Sequence, residues 1–424
     1  MPAPTPGRYL ATMALVASLG LWFLGTVNLR NDPYGAFRRL GVDTLSTETL
    51  RWSRVASAER ARSPCEVMIL GSSRVVFGFG IDVPPRDGKR VCNTGLGGTS
   101  LSELRSVLDV VLQNPHVEEV HLYLDLHLFN DQRTPHHDFH QSWYNPERSA
   151  LSYYAWMLTS IDAFNASAAV RGVRFPWMPP VRRHRGPLRQ NRIQVTGLLQ
   201  ARNGLRLFRG PDKTLAIFES MLDDLDARGI RVQLAIPPLH ALMWEVNVTA
   251  GVWDTAKTWR RTLVQILDSR PIRHDLWDFA HYHEPATGPV PIHFGHPPSQ
   301  WFADISHMDR ALARLVQARI DAHHAGQDWD GPSAFGVLLT AETLDTHLAR
   351  FDADRATWRY NNPAQVQWFD NIIEDLRTAR PEVFEDIAHS VRVRAAAAAG
   401  EAIPERNVYT YEDDEDVLPD EPAP

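Results

Sequence analysis

Residues 66–79, EVMILGSSRVVFGF, decide how the rest of this chain is read. The run Val67–Leu70 is uniformly apolar, as in a strand buried on both faces, and it stops at Gly71-Ser72-Ser73-Arg74. A buried strand that breaks at a Gly-Ser turn delivers that turn to the edge of an open parallel sheet, where ligands bind. Ser73 is either a nucleophile there or simply part of the turn.

Working outward, further short apolar runs alternate with helical patterns. Lys89–Asn93 predicts a second strand and leads into Thr94-Gly-Leu-Gly-Gly98. Ser100 or Thr99 can cap a helix over Leu101–Gln113, with Glu103 in its first turn. Glu118–Phe129 contains a third strand, Ile230–Ile236 a fourth and Arg273–Phe279 a fifth; helices are expected over Thr214–Arg228, Thr255–Asp268 and His307–Ala322. This alternation predicts an α/β fold, a three-layer α/β/α sandwich around a mostly parallel five-stranded sheet. Phe335–Thr340 can add one more strand or pack as a short element.

Upstream, Tyr9–Asn28 is a stretch of ~20 residues without a charge, about the length that crosses a bilayer as a helix. Arg8 and Arg30 flank it, and no small-x-small cleavage site follows, which favours an uncleaved anchor over a signal peptide. The division expected is an anchor over 1–30, a juxtamembrane segment over 31–63, an α/β domain over 64–325, a C-terminal extension over 326–400 and an acidic disordered tail over 401–424. The α/β domain carries an insertion at about 131–210, with one helix from Ser149 to about Val170. A basic stretch follows, holding Arg171, Arg174, Arg182, Arg183, Arg185, Arg189 and Arg192. That stretch suits anionic glycans or lipid headgroups, or it is a solvated loop near a membrane.

Composition narrows the chemistry. The net charge of -7 is concentrated in the tail, so nucleic acid is not an expected partner. The two cysteines, Cys65 and Cys92, would lie about 10 Å apart on extended parallel strands, so both are expected to be free thiols. Among 18 histidines, His136-His137-Asp138 with His140 and His281-x-His283-Glu284 have ligand-like spacing without completing a metal motif, and neither a metal nor another cofactor is expected. Trp143, Trp156 and Trp177 can stack on sugar rings or pack in the core or at a membrane interface.

A partner for Ser73 appears late, in Trp301–Leu315, WFADISHMDRALARL. Asp304 and His307 stand three apart before a helix, so an imidazole can face the serine while the carboxylate orients it. With the early Gly-x-Ser and the glycine turn, this pattern resembles the SGNH (GDSL-like) hydrolase superfamily over Cys65–Ala322. The resemblance implies Ser73 as nucleophile, His307 as base and Asp304 as its orienting acid. It also implies that the Gly95 amide, in Asn93-Thr-Gly95, helps form an oxyanion hole. Ser72 stands where the family usually has aspartate, and its Gly-x-Asn-Asp block is replaced by Leu124-Asp125-Leu-His127, so Asp125, His127 or Asn130 would substitute there.

Arg74 can bind an anionic substrate group or pair with an acid on the protein surface, and His240 can touch substrate from the loop after Pro237-Pro238 or stand as an exposed loop histidine. The anchor, Asn31-Asp-Pro-Tyr34 and the Gly-Ser-Ser-Arg turn are similar to membrane-anchored bacterial envelope proteins of that superfamily, including O-acetyltransferase-like proteins of exopolysaccharide export. The resemblance implies a serine esterase or O-acetyltransferase acting on an envelope glycan. The protein would be single-pass in the inner membrane with its main domain periplasmic. A catalytically inactive binding or assembly factor for polysaccharide export is the alternative.

Overall fold

The computed structural model describes residues 6–33, 37, 62–80, 83–136, 139–142, 144–173 and 186–402. Most of the juxtamembrane segment and the acidic tail therefore lie outside the described residues, as do His137, Asp138, Trp143, Trp177 and four arginines of the basic stretch, Arg174, Arg182, Arg183 and Arg185.

The architecture is α/β. A six-stranded sheet has the order β2 (Val91–Asn93), β1 (Val67–Leu70), β3 (Glu119–Tyr123), β4 (Arg231–Ile236), β5 (Leu276–Asp278) and β8 (Val337–Leu339). The first five are parallel, and β8 closes the β5 edge antiparallel, with Leu276 opposite Leu339. The sheet thus has one strand more than the five expected. The sixth, β8, is three residues of Phe335–Thr340, which takes the strand alternative.

Strand period two assigns side chains to opposite faces. Met68, Leu70, Val120, Leu122, Leu234 and Leu276 enter one apolar cluster, together with the helices Leu101–Val111, Asp212–Ala227 and Trp253–Asp268. Val67, Ile69, Tyr123, Ala235 and Trp277 enter the other, against Leu312, Val316 and Ile320 of the helix Arg310–His324. The C-terminal helices Ala341–Asn361, Pro363–Ala379 and Pro381–Ala399 share the first cluster through Leu348, Phe351, Phe369 and Ile387.

Successive connections from β1 run in opposite directions along the sheet, to β2 on one side and then back across to β3. That reversal opens a crevice at the carboxyl ends of β1 and β3. Gly71 leaves β1 directly beneath it.

Two local expectations are corrected. The helix expected from Ser149 to Val170 is two helices, Ala150–Thr159 and Ile161–Val170, because Ser160 ends the first and caps the second by accepting from the Ala163 amide at 3.0 Å. The helix expected from His307 starts at Arg310, capped by Asp309, whose Oδ1 accepts from Leu312 N at 2.8 Å.

The two thiols are not free: Cys65 and Cys92 form a disulfide with Cα atoms 6.0 Å apart. The extended-strand estimate fails because the chain is not extended ahead of β1. Glu66 N and Val67 N both donate to Arg90 O at 3.1 Å, and Cys65 N donates to Ser63 O at 2.7 Å, which folds Cys65 back toward β2. For a sequence separation of 27, chain-entropy arguments give roughly 3.5 kcal/mol of stabilisation. Thiol titration of the denatured, unreduced chain should find no reactive cysteine, and Cys65→Ser should lower unfolding stability by about that amount. Two titrating thiols before reduction would refute the bond.

At the amino end, Pro6–Asn31 is one helix, long and apolar enough to cross a membrane, with Leu10, Leu19 and Trp22 exposed along it.

Candidate active site

Gly71 is required at the end of β1 by close approach. A Cβ there would fall 2.5 Å from Val75 Cγ2 and 3.0 Å from Tyr123 Cβ. The chain then turns into the short helix Ser73–Phe79. The two serines do different work. Ser72 caps this helix, its Oγ accepting from Arg74 N at 3.3 Å and donating to the Asp125 carboxylate. Ser73 is the first helical residue and half-buried, at the end where backbone amides have no intrahelical acceptor.

Facing it is a small antiparallel ribbon, β6 (Phe302–Asp304) with β7 (His307–Met308), in which Asp304 pairs with His307 across Ile305-Ser306. Asp304 Oδ1 accepts from Ser306 N at 2.8 Å and His307 N at 3.1 Å, so the carboxylate holds its own turn. Both carboxylate oxygens also lie within 2.9 Å of His307 Nδ1. The other ring nitrogen, Nε2, is 2.8 Å from Ser73 Oγ. With the Nδ1 proton shared with Asp304, Nε2 is left to accept the serine proton. Ser73, His307 and Asp304, singled out in the sequence, are thus within hydrogen-bond reach in the expected order.

Several neighbours carried no sequence signal. Phe77, 42% exposed, stacks on the His307 ring with centroids 4.4 Å apart. It is four residues after Ser73, so one helical turn places both beside the imidazole. From the insertion, the helix Pro187–Gln200 braces the ribbon. Asn191 Oδ1 accepts from Ile305 N at 3.0 Å, and Gln194 Nε2 reaches Asp304 Oδ2 at 3.5 Å.

Arg74 and Asp125 are both buried and pair with each other. The Arg74 guanidinium pairs with Asp125, donates through Nε to Ser306 O at 3.0 Å, and through Nη2 to Ser306 Oγ at 3.2 Å. Burial pushes this group down to about 9, against the opposing pull of Asp304, so it remains cationic at neutral pH. The Gly95 amide, expected to face the crevice, donates to Asn93 Oδ1 at 2.8 Å. A Cβ on Gly95 would sit 2.9 Å from Val75 Cγ1, which supplies a packing reason for the glycine.

Of the substitutes considered at the third strand's end, Asn130 is committed to Gly204 O at 2.9 Å. His127 is buried with its Nε2 unpartnered, held well below the ordinary histidine range by burial and the nearby Arg74 and Arg133 charges. Among the described residues, no three His, Cys, Asp or Glu side chains converge as metal ligands.

His240 sits against the Asp304–His307 turn, its backbone N donating to Ile305 O at 3.3 Å, but its side chain does not open to solvent. It is fully buried, accepts from Leu242 N through Nδ1 at 3.2 Å, and places Nε2 2.8 Å from Gly288 O. It caps the helix Ala241–Thr249. Burial, opposed by the Gly288 carbonyl, pushes it down to about 4; His283, buried against Phe279 O, is likewise near 4. An unfolded histidine takes its proton near 6.5, but these do so only near 4. Their contribution to stability is therefore complete above pH 6.5 and is lost as pH falls toward 4, by up to about 1.4 kcal/mol per pH unit for each. Urea unfolding at pH 7.5, 6 and 5 should show this decline, and a flat profile would contradict it.

Comparison with known proteins adds little to this geometry. No protein-family profile matches the chain, and no curated protein matches it. A solved structure from Streptococcus pneumonia, described as a candidate platelet activating factor, aligns over 63% of this chain and 90% of its own with 10% identity and a TM-score of 0.32, a likeness too remote to carry fold or function across.

Proposed function

We propose that this protein is a membrane-anchored serine esterase or O-acyl(acetyl)transferase of the SGNH type, acting on a glycan of the cell envelope. One observation carries the reading: Ser73 Oγ, His307 Nε2 and Asp304 form a continuous hydrogen-bonded relay at the carboxyl edge of a mostly parallel sheet. The helices on both faces support the three-layer sandwich that the superfamily resemblance implies. The Cys65–Cys92 disulfide supports an oxidising compartment, and with the N-terminal helix it favours a main domain on the extracytoplasmic side of the inner membrane.

In this mechanism Ser73 Oγ attacks the ester carbonyl while its proton moves to His307 Nε2. Asp304 stabilises the resulting imidazolium. The amide at the head of the Ser73–Phe79 helix supports the developing oxyanion. The Gly95 amide joins it only when Asn93 Oδ1 lets go. Collapse of the tetrahedral adduct breaks the ester C–O bond, and His307 protonates the departing alcohol. Water or a sugar hydroxyl then attacks the acyl-serine as His307 takes its proton, and His307 returns that proton to Ser73 Oγ as the acyl–Oγ bond breaks.

The engaged Gly95 amide favours a second reading, an inactive relative that binds or assembles exopolysaccharide-export components. The two are separated by incubating the full chain with a serine-directed fluorophosphonate and an activated acetyl ester. Adduct at Ser73 together with ester hydrolysis supports the enzyme. Absence of both leaves the assembly factor.

A further inference from the structure

The insertion helices Ala150–Thr159 and Ile161–Val170 pack on the outer end of the N-terminal helix. Asn28, fully buried there, donates through Nδ2 to Leu158 O at 2.9 Å and Ser160 O at 3.3 Å, and its Oδ1 accepts from Ser167 Oγ at 3.2 Å. Phe23 meets Phe164 with ring centroids 6.0 Å apart, and Arg171 Nε donates to Asn31 Oδ1 at 2.7 Å. The corner at Ser160 is therefore fixed beside the last two turns of the apolar helix.

That placement has a consequence for depth. At 1.5 Å per residue, the uncharged stretch Tyr9–Asn28 is about 30 Å long, the thickness of a bilayer's hydrocarbon core. A corner bonded to Asn28 then lies at the hydrocarbon boundary. Its chemistry matches that depth. Across Ala150–Val170 Asp162 is the single charged residue, while Leu151 and Ile161 are 81% and 61% exposed. Arg148 lies over the Tyr153 and Trp156 rings at 5.3 and 5.5 Å. A nearly uncharged helix pair that exposes large apolar side chains, with aromatic rings and an arginine at its border, has the make-up of an element lying in the membrane interface.

We propose that the Ala150–Val170 helix pair is a membrane-docking collar, occupied by the lipid surface and clamped to the outer end of the anchor. The collar rests on the reading of Pro6–Asn31 as a membrane anchor and goes beyond it. It makes the domain sit against the bilayer instead of swinging on a tether, so its crevice would serve acceptors presented at the membrane surface.

The test uses the full chain in vesicles of phosphatidylethanolamine and phosphatidylglycerol. A fluorophore is placed singly at Leu151→Cys, Ile161→Cys, Trp22→Cys as the anchor position, and Tyr360→Cys, where the native side chain is 85% exposed, as the aqueous reference. Leu151 and Ile161 contribute little to the fold's own packing, so these variants should fold. The expected result is strong quenching of the 151 and 161 labels by nitroxide lipids, approaching that at position 22, with iodide quenching several-fold weaker than at 360. Labels at 151 and 161 as open to iodide as 360, while 22 is lipid-quenched, overturn the collar and leave the anchor standing. Protection from iodide without lipid quenching marks a protein contact and also overturns it. Position 22 open to iodide overturns the anchor and the collar with it.

Discussion

Alanine in place of Ser73 is expected to lower kcat/KM toward an activated acetyl ester by roughly 10⁴- to 10⁶-fold, the range over which loss of a serine nucleophile acts when the remaining groups cannot substitute. His307→Ala should lose about as much, because Nε2, 2.8 Å from Ser73 Oγ, is the proton acceptor the serine requires. The double variant should be little worse than either single one, since the two groups act as a unit. Asp304→Asn should cost roughly 10⁴-fold by favouring the wrong tautomer of the ring. Ser72→Ala should be far milder, because Ser72 caps the helix and bonds Asp125 while its neighbour faces the imidazole. A Ser73→Ala variant with unchanged turnover would remove the catalytic reading altogether, whereas an inactive Ser72→Ala variant that folds normally would mean the serines had been assigned in the wrong order.

Arg74→Met should destabilise the fold by about 3–5 kcal/mol, the usual cost of stranding one partner of a buried ion pair. Arg74 and Asp125 side chains are only 5% and 3% exposed, so water cannot replace the lost guanidinium. Arg74→Lys should rescue little, since one ammonium cannot reach Asp125, Ser306 O and Ser306 Oγ together. In the double variant Arg74→Met/Asp125→Leu, which strands no charge, much of the stability should return. A positioning role adds a second signature: fluorophosphonate labelling of Ser73 should remain slow in the double variant although it is folded. Recovery of stability and labelling together would show that Arg74 serves the fold alone.

How far the site could be read from sequence depends on how local each feature is. Val67–Leu70 and its turn were legible because a buried parallel strand is a short apolar run, and the start of the helix Leu101–Val111 because Thr99 and Ser100 both offer a cap; the structure uses Ser100, with Glu103 completing a capping box. Asp304 and His307 were legible because their contact is itself local, across one tight ribbon. What failed depended on long-range geometry. The inward turn of Arg74 required Ser306, 232 residues away in sequence, and the burial of His240 required the Gly288 carbonyl. An extended strand beginning at Cys65 would hold the two sulfurs apart, but the backbone bends just there and brings them together. The Gly95 amide was assigned outward although Asn93, two residues earlier, supplies an internal acceptor. Such an Asx-type bond is a common habit of asparagine and, like the caps at Ser160 and Asp309, has a local cue.

The Arg74 contacts to Ser306 bear on how the protein would fail. Arg74 is joined to Ser73 by one peptide bond and Ser306 to His307 by another, so two guanidinium hydrogen bonds close a clasp around the reacting pair. Nucleophile and base cannot drift apart by loop fraying alone; the clasp must open first, and it is rooted in the Asp125 end of a central strand. Loss of function on heating should then coincide with cooperative melting of the sheet, with no earlier inactivation in which the fold persists and the site has come apart.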